Sequence, residues 1–367
     1  MARARRKKDS EILDKKNNSS SVFVKQLYRG LIVAESAQVN SKSGDSLFNL
    51  VWKPLLPFLK GVEKIHMAPA GLLNRVAFNA LPVDSNTYLI DKYQLRQYSS
   101  VRQITEMQPP LQEPAVVEIV LFGGIDFDKT GAVKNEINPT NLPEVIQRNM
   151  SGGAWQGLPG TLEEVNKISQ LFTANKKQAR VISGKNASEE NFKGLTGRSP
   201  RILHLSTHGF SLPDAAKDKN NKGSNQFSLS DNPLLRSGII MAGANTVWSG
   251  GTALPGKEDG IVTAYEISNL DLSSTELVVL SACETALGDI RGTEGVFGLQ
   301  RSFKLAGVQQ MILSLWQVPD KETVELMSIF YANKLKGLAT YDAFNAAQEN
   351  MRKKYSPYFW AAFILVE

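Results

Sequence analysis

Residues 277–284 read LVVLSACE, and residues 202–209 read ILHLSTHG. Each stretch opens with a short apolar run, which is typical of a buried strand in a parallel sheet, and ends in small or polar residues. Reactive groups in open α/β sheets gather at the carboxyl ends of parallel strands. The two stretches therefore predict that Cys283 and His208 lie at the same edge of one sheet.

Cys283 is the only cysteine among 367 residues, and His208 is one of three histidines. A thiol is an effective nucleophile when its pKa is lowered or a base stands beside it. We therefore expect a Cys/His hydrolase in which His208 is the base. Gly209 is expected to turn the chain sharply, and the backbone N–H groups of Gly209 and Cys283 are expected to stabilise an oxyanion.

Each of these residues also has a structural interpretation. A lone cysteine is more often a small buried hydrophobe, and a lone histidine is more often hydrogen-bonded to a loop carbonyl. The position of Cys283 and His208 at two strand ends favours the catalytic interpretation over both alternatives.

Strands and helices alternate from Pro114 onward, which predicts an α/β fold with a mostly parallel central sheet flanked by helices. Apolar runs indicate about six strands, the first at 115–123 and the last at 359–366. Helices are expected from 161, where Thr161 and Glu164 form a capping box, and at 259–270 and 293–306.

Three regions are expected along the chain. Residues 1–21 form a disordered basic tail, residues 22–110 a smaller N-terminal α/β subdomain, and residues 115–367 the main domain. Within the subdomain, helical patterns occupy 22–46 and 47–59, and short strands are expected at 64–68 and 88–90.

The net charge of +6 comes mostly from residues 1–21, where seven basic residues outnumber three acidic ones. We interpret this tail as a solvated arm, and nucleic-acid binding through it is a third interpretation of the chain's function. No apolar run is long enough to cross a bilayer, and the tail lacks the apolar core of a secretory signal. A single cysteine excludes an internal disulfide framework, so we expect a cytoplasmic protein without a membrane partner.

Neither a metal nor a cofactor is expected. His204 and His208 are four residues apart, as in zinc-binding helices, but on a strand this spacing separates them by about 13 Å. We expect His204 to pack inside the protein. The glycine-containing stretches match neither dinucleotide-binding nor phosphate-binding loops.

Three motifs closely resemble those of the CHAT domain, which belongs to the caspase and separase clan of cysteine peptidases. They are HLSTHGF at 204–210, LSACETALG at 280–288 and LWQVPD at 315–320. Supporting stretches are LPGT at 158–161 with Glu164, DGIVTA at 259–264 and YFWAAF at 358–363. The resemblance covers residues 22–367 and implies a caspase-like sandwich and a thiol protease whose dyad is His208 and Cys283.

The resemblance also implies partners and an alternative. Members usually carry tetratricopeptide repeats or another sensing module, so we expect a protein substrate and a separate sensor or repeat-containing activator, or a chain that is part of a longer protein. Some relatives lose the dyad, so the alternative is a non-catalytic caspase-like interaction scaffold.

Three residues are candidates for the pocket that binds P1, the substrate residue before the cleaved bond. Ser281 stands two residues before the cysteine, a position that lines this pocket in caspases, and it offers no charge. In separases an acidic residue in the tryptophan-containing stretch faces a basic P1 side chain, so the resemblance implies that Asp320 selects Arg or Lys. Asp126 is the competing pocket residue, and Asp320 as the cap of its own helix is an equally open interpretation.

Overall fold

A computed structural model of the chain describes residues 47–84, 86–105, 119–128, 150–151, 154–212, 232–253, 255–281, 289–290, 296–316 and 318–367. Cys283, the tail at 1–21 and the predicted helix at 22–46 lie outside these ranges. Every helix within them is too short or too polar to span a bilayer.

Fifteen strands lie in the described ranges. They are β1 (Lys64–Met67), β2 (Gln94–Gln97), β3 (Ile119–Ile125), β4 (Met150–Ser151), β5 (Ala154–Trp155), β6 (Ala179–Gly184), β7 (Ile202–Leu205), β8 (Gly209–Ser211), β9 (Ser237–Ile240), β10 (Ile261–Thr263), β11 (Leu277–Leu280), β12 (Asp289–Ile290), β13 (Val296–Phe297), β14 (Gln310–Ser314) and β15 (Phe363–Val366).

The same ranges contain nine α-helices and several π-helical and 3-10 turns. The α-helices are α1 (Arg102–Thr105), α2 (Pro159–Ala174), α3 (Glu189–Lys193), α4 (Asn245–Trp248), α5 (Ala264–Ser268), α6 (Leu299–Leu305), α7 (Asp320–Leu335), α8 (Thr340–Arg352) and α9 (Pro357–Trp360). A π-helical turn covers Phe48–Trp52, and 3-10 turns cover Lys53–Phe58, Gly71–Arg75, Phe78–Ala80, Leu89–Asp91 and Pro233–Leu235.

Eight strands form the central sheet in the order β1-β2-β15-β14-β11-β7-β3-β6. Six of the seven neighbouring pairs are parallel, and only β14 and β15 run antiparallel. Leu280 lies opposite both Leu205 and Leu313, and Phe122 lies opposite Leu205. The chain therefore leaves β3, β7, β11 and β14 at the same edge of the sheet.

Helices cover both faces of this sheet, which is why its central strands are apolar along almost their whole length. On one face Phe192 of α3 packs edge-on against Phe122 of β3. On the other, Phe172 of α2 packs edge-on against Tyr331 of α7, and α8 packs on α7. The predicted α/β class with a mostly parallel, helix-flanked sheet is confirmed.

The sheet has two strands more than the six predicted, because β1 and β2 from the N-terminal region join it beyond β15. The strand predicted at 88–90 is wrong. Residues 89–91 form a 3-10 turn, which a hydrogen bond from the Tyr88 N–H to Asp91 Oδ2 at 2.8 Å stabilises. The strand in this region is β2, which follows the turn.

The helix predicted to open at Gly160 and Thr161 is confirmed as α2, which begins at Pro159 because proline suits the first turn. The predicted capping box of Thr161 and Glu164 is wrong, since Thr161 Oγ1 donates to the Leu158 carbonyl. Two other predicted helix starts are also wrong. Within 259–270, which was predicted to be a helix throughout, the strand β10 comes first. The helix α5 begins only at Ala264, after a capping box formed by Thr263 and Glu266. The predicted helix at 293–306 is shortened because β13 precedes α6.

The stretch at 202–209 is two strands rather than one. After β7 the chain passes to β8, which belongs to a separate antiparallel sheet of order β10-β9-β8. Thr207 Oγ1 donates to the Ile240 carbonyl, and the Ile240 N–H donates to the His208 carbonyl at 2.9 Å. The change of direction therefore falls at residues 206–208, and Gly209 is the first residue of β8 rather than a sharp turn.

Candidate active site

His208 lies between the two sheets, at the edge where the parallel strands end. Its side chain is 1% exposed. The rings of Phe127 and Trp155 each lie 5.0 Å from the imidazole, centroid to centroid, and Trp155 is backed by Trp248 at 5.0 Å. The imidazole is therefore held in an apolar, aromatic pocket.

The two ring nitrogens of His208 have different environments. Nε2 donates to the carbonyl oxygen of Gln156 at 2.7 Å. Because a carbonyl can only accept, the proton of a neutral imidazole is on Nε2 and the lone pair is on Nδ1. Nδ1 is buried and has no hydrogen-bond partner among the described residues.

Burial lowers the pKa of His208 to about 4, and the hydrogen bond to the Gln156 carbonyl raises it again only in part. The side chain is therefore neutral near pH 7. A neutral, buried imidazole with an unused lone pair is suited to accept a proton from a neighbouring donor.

Asn245 of α4 fixes the segment that carries the Gln156 carbonyl. Its Oδ1 accepts from the Trp155 N–H at 2.7 Å, and its Nδ2 donates to the Trp155 carbonyl at 3.0 Å and to Asp128 Oδ1 at 2.8 Å. Neither Gln156 nor Asn245 could be identified from the sequence, because every residue offers a carbonyl and Asn245 is 90 residues from its partner.

Gly209 offers its backbone N–H on the side away from β9. The Ile240 N–H donates to the His208 carbonyl, and the Leu212 N–H donates to the Arg236 carbonyl. Hydrogen-bonded pairs alternate along an antiparallel ladder, so Gly209, opposite Ile239, lies in a non-hydrogen-bonded pair. Its N–H is accordingly directed away from the small sheet.

The chain that leads to Cys283 runs beside the chain that leads to His208. Ser281, the last described residue before Cys283, donates its N–H to the Leu205 carbonyl at 2.9 Å. Ser206 likewise donates its N–H to the Phe122 carbonyl at 2.8 Å. The parallel pairing thus continues one residue beyond β7 and β11, and Cys283 itself lies outside the described residues.

A cleft opens at the same edge of the sheet. It encloses about 470 Å³, including space open to solvent. Ser206, Thr207, Ser281 and Ser314 contribute polar side chains from the strand ends. The full lining is Leu158, Gly160, Thr161, Glu164, Ser206, Thr207, Ser281, Ser314, Trp316, Val318, Asp320, Thr323 and Phe363.

Glu164 of α2 is the buried carboxylate of this cleft, 3% exposed. Oε2 accepts from Ser206 Oγ at 2.5 Å and from Ser281 Oγ at 3.0 Å. Oε1 lies 3.2 Å from His204 Nε2, and both atoms are buried without an aligned hydrogen bond. The prediction that Glu164 belongs to a helix cap is therefore wrong.

His204 is fully buried, as predicted, and its Nδ1 lies 3.1 Å from the Tyr331 hydroxyl. Burial raises the pKa of Tyr331 well above its usual value, and the nearby Glu164 carboxylate adds to the increase. No group of three or more His, Cys, Asp or Glu side chains that could hold a metal occurs in the described part of the chain.

The structure brings two of the three predicted pocket residues to the cleft. Ser281 lies on its floor, and Asp320 lies at its mouth, exposed. Asp320 does not cap its own helix; its Oδ2 accepts from the Gly160 N–H of α2 at 3.0 Å. Asp126 is not part of the cleft lining, and its Oδ1 accepts from the Asp128 N–H.

Comparison with known proteins gives a family and distant relatives. The family model of the CHAT domain matches residues 41–367. Tetratricopeptide repeat protein 28 of Mus musculus is 25% identical over 297 residues, which are 77% of this chain and 11% of that protein. Its Homo sapiens counterpart is 23% identical over 296 residues with the same coverage. The chain thus spans about a tenth of the length of these relatives.

Among solved structures, the crystal structure of gingipain R, an Arg-specific cysteine proteinase, has a TM-score of 0.47 and 8% sequence identity. The superposition covers 96% of this chain and 74% of that one.

Proposed function

The chain belongs to the CHAT domain family, and from that membership we propose that it is a cysteine endopeptidase whose catalytic dyad is His208 and Cys283. The observation that carries the proposal is the state of His208. Its Nε2 is tied to a carbonyl, and its buried Nδ1 has no hydrogen-bond partner among the described residues. Most buried polar atoms have a hydrogen-bond partner, so an unused lone pair on Nδ1 supports a role for His208 as a base.

In the proposed reaction His208 Nδ1 takes the proton of the Cys283 thiol, and the thiolate attacks the carbonyl carbon of the peptide bond. The N–H groups of Gly209 and Cys283 hold the oxyanion. The imidazolium keeps its Nε2 bond to Gln156 and gives the Nδ1 proton to the leaving amine, which departs as the acyl-enzyme forms. Water then releases the acyl group, with His208 acting as base.

The chemistry of the cleft supports a preference for basic residues at P1. Two carboxylates line it, Glu164 at the floor and Asp320 at the mouth, and no Lys or Arg does so in the described part of the chain. A cationic side chain would be attracted by both carboxylates.

Regulation by repeats is a further part of the proposal. The curated relatives are tetratricopeptide repeat proteins in which the region similar to this chain is 11% of the length. We propose that a repeat-containing segment, in the same polypeptide or a separate one, acts as sensor or activator. A reducing, cytoplasmic location would keep the single thiol usable.

The dyad is tested with a cysteine-reactive peptidyl electrophile and a fluorogenic peptide library. We expect labelling of the wild-type chain and none of Cys283→Ala. Either Cys283→Ala or His208→Ala should remove most turnover, and the double variant should be little worse because the pair acts as a unit. Near-normal turnover in His208→Ala would contradict the base role. A folded wild-type chain that neither reacts nor cleaves would favour the scaffold alternative.

A further inference from the structure

The ends of strands β7 and β11 are joined by side chains as well as by the backbone. The Ser281 N–H donates to the Leu205 carbonyl at 2.9 Å. One carboxylate oxygen, Glu164 Oε2, then accepts from the hydroxyl of Ser206 at 2.5 Å and from that of Ser281 at 3.0 Å. Ser206 directly follows β7 and Ser281 directly follows β11. We call these three side chains the carboxylate bridge, because one oxygen of α2 connects the two chains just beyond the sheet.

The two serines of the carboxylate bridge stand at equivalent positions relative to the proposed dyad. Ser206 is two residues before His208, and Ser281 is two residues before Cys283. The parallel register of β7 and β11 aligns the two strands residue for residue up to their last pair. The chains that lead to the two dyad residues therefore leave the sheet at matching points, and the carboxylate bridge lies at those points.

Helix α2 gives the carboxylate a fixed position on the sheet. A Cβ at Gly123 of β3 would lie 2.7 Å from both the Thr161 carbonyl oxygen and Val165 Cγ1, so glycine is what allows the helix to approach this closely. The Gly124 N–H donates to Thr161 Oγ1 at 2.9 Å. Glu164, 3% exposed, lies between these contacts along the helix. The carboxylate bridge thus fixes both strand ends against a third element.

The opposite edge of the sheet shows how the same two strands are joined where no reaction is proposed. There Thr275, just before β11, donates its Oγ1 to the carbonyl of Pro200, just before β7, at 2.7 Å. A single bond to a backbone carbonyl is enough at that edge. At the edge of the dyad a carboxylate takes two hydroxyls, and hydrogen bonds to an ionised acceptor are shorter and stronger.

We propose that Glu164 is a positioning residue for the dyad. By holding both serines on one oxygen, it fixes the separation of the chain segments that lead to His208 and Cys283. Without the carboxylate bridge the two segments shift relative to each other, and a displacement of about 1 Å lowers a rate by up to about a hundredfold. This inference rests on the proposed dyad and names a residue that acts through it rather than on the substrate.

The test measures the rate at which iodoacetamide alkylates Cys283, the only cysteine of the chain. This small reagent needs no peptide-binding pocket: the sulfur displaces iodide, and His208 takes the thiol proton. At pH 7 an unassisted thiol is mostly protonated, so the rate reports on the base beside it. We expect Glu164→Met and the double variant Ser206→Ala/Ser281→Ala each to lower this rate at least about tenfold.

Two further measurements separate positioning from a general loss of stability. In a His208→Ala background, Glu164→Met should lower the rate no further, because no base is left to misplace. Above about pH 8.5, where a thiol ionises without help, the variants should approach the wild-type rate. Thr275→Val is the matched control, since it removes a buried hydroxyl between the same two strands and should leave the rate unchanged.

Thermal unfolding checks that each variant is folded. If Glu164→Met or the double serine variant does not fold, the triple variant takes its place. It removes the two hydroxyl donors together with their acceptor, which costs less stability than leaving one side unpaired.

The outcomes distinguish the carboxylate bridge from the dyad and from the peptidase. A wild-type rate in Glu164→Met, an equal loss in the His208→Ala background, or an equal loss in Thr275→Val overturns the positioning role and leaves the dyad in place. A His208→Ala chain that is alkylated as fast as the wild type rejects the dyad and the positioning role together. Full coupling of Glu164 to His208 in a chain that cleaves no library peptide would support the positioning role and reject the peptidase.

Discussion

Replacing His208 by glutamine should remove a pH-dependent part of the stability of this protein. Glutamine keeps an N–H donor within reach of the Gln156 carbonyl but does not titrate. The comparison is made in the Cys283→Ala chain, so that the charge state of the thiol does not contribute. The measured quantity is the free energy of unfolding between pH 4 and pH 7.

The magnitude follows from the burial of the imidazole. The pKa of His208 is about 4 in the folded protein against 6.5 for an unperturbed histidine. The unfolded chain therefore binds this proton at higher pH than the folded one, and stability falls as the pH falls from 6.5 to 4. A difference of about 2.5 units at 1.36 kcal/mol per unit corresponds to about 3 kcal/mol.

Urea denaturation at a series of pH values measures this difference. Over pH 7 to pH 4, the parent should lose about 3 kcal/mol more than His208→Gln does. Parallel curves for the parent and His208→Gln would refute the argument that burial keeps the imidazole neutral.

Three further substitutions test the supports of the site and the core. Asn245→Ala should lower the free energy of unfolding, measured by urea denaturation, by about 1–3 kcal/mol, because the Trp155 backbone loses two hydrogen bonds. It should also lower peptidase turnover, and unchanged turnover would contradict the positioning role of Asn245. Lys193→Met should lower the free energy of unfolding by about 3 kcal/mol, because the carboxylates of Glu189, Glu258 and Glu266 lose the cation that they share. An unchanged free energy of unfolding would disprove this. Gly238→Ala should overpack the core and destabilise the folded protein by about 1–3 kcal/mol, since a Cβ there would lie 2.4 Å from the Val262 carbonyl oxygen. The melting temperature should fall accordingly. Gly157→Ala, where a Cβ would meet open space, should leave the melting temperature unchanged.

The central strands could be predicted from the sequence because they are buried on both faces. An apolar run such as 277–280 then identifies a strand without any knowledge of its neighbours. Strand β2 is different: its first residue is exposed and Arg96 is half-buried, so its pattern was not recognised. Its position in the sheet depends on pairing with β15, which is far away in the sequence.

The candidate site could be predicted only in part, for a related reason. The chemistry of His208 is evident from its residue type, but its partner is a backbone carbonyl that any residue could supply. Glu164 fits a helix cap by spacing to Thr161, and its actual role depends on serines that lie 42 and 117 residues away. Such contacts are set by the tertiary fold rather than by local pattern.

The place of β15 in the sheet has a consequence for how the protein folds. β15 is the last described strand in the chain, yet among the described strands it alone joins β1 and β2 to the rest of the central sheet. Val366 of β15 lies opposite Gln97 of β2. Next to this pair, Arg96 forms an ion pair with Glu367 at 2.8 Å. During synthesis β2 therefore cannot pair with β15 until the ribosome has added more than 260 further residues. Closing such a long loop slows folding, so the edge of β2 remains open to chaperones or to mispairing until the end of β15 has left the ribosome.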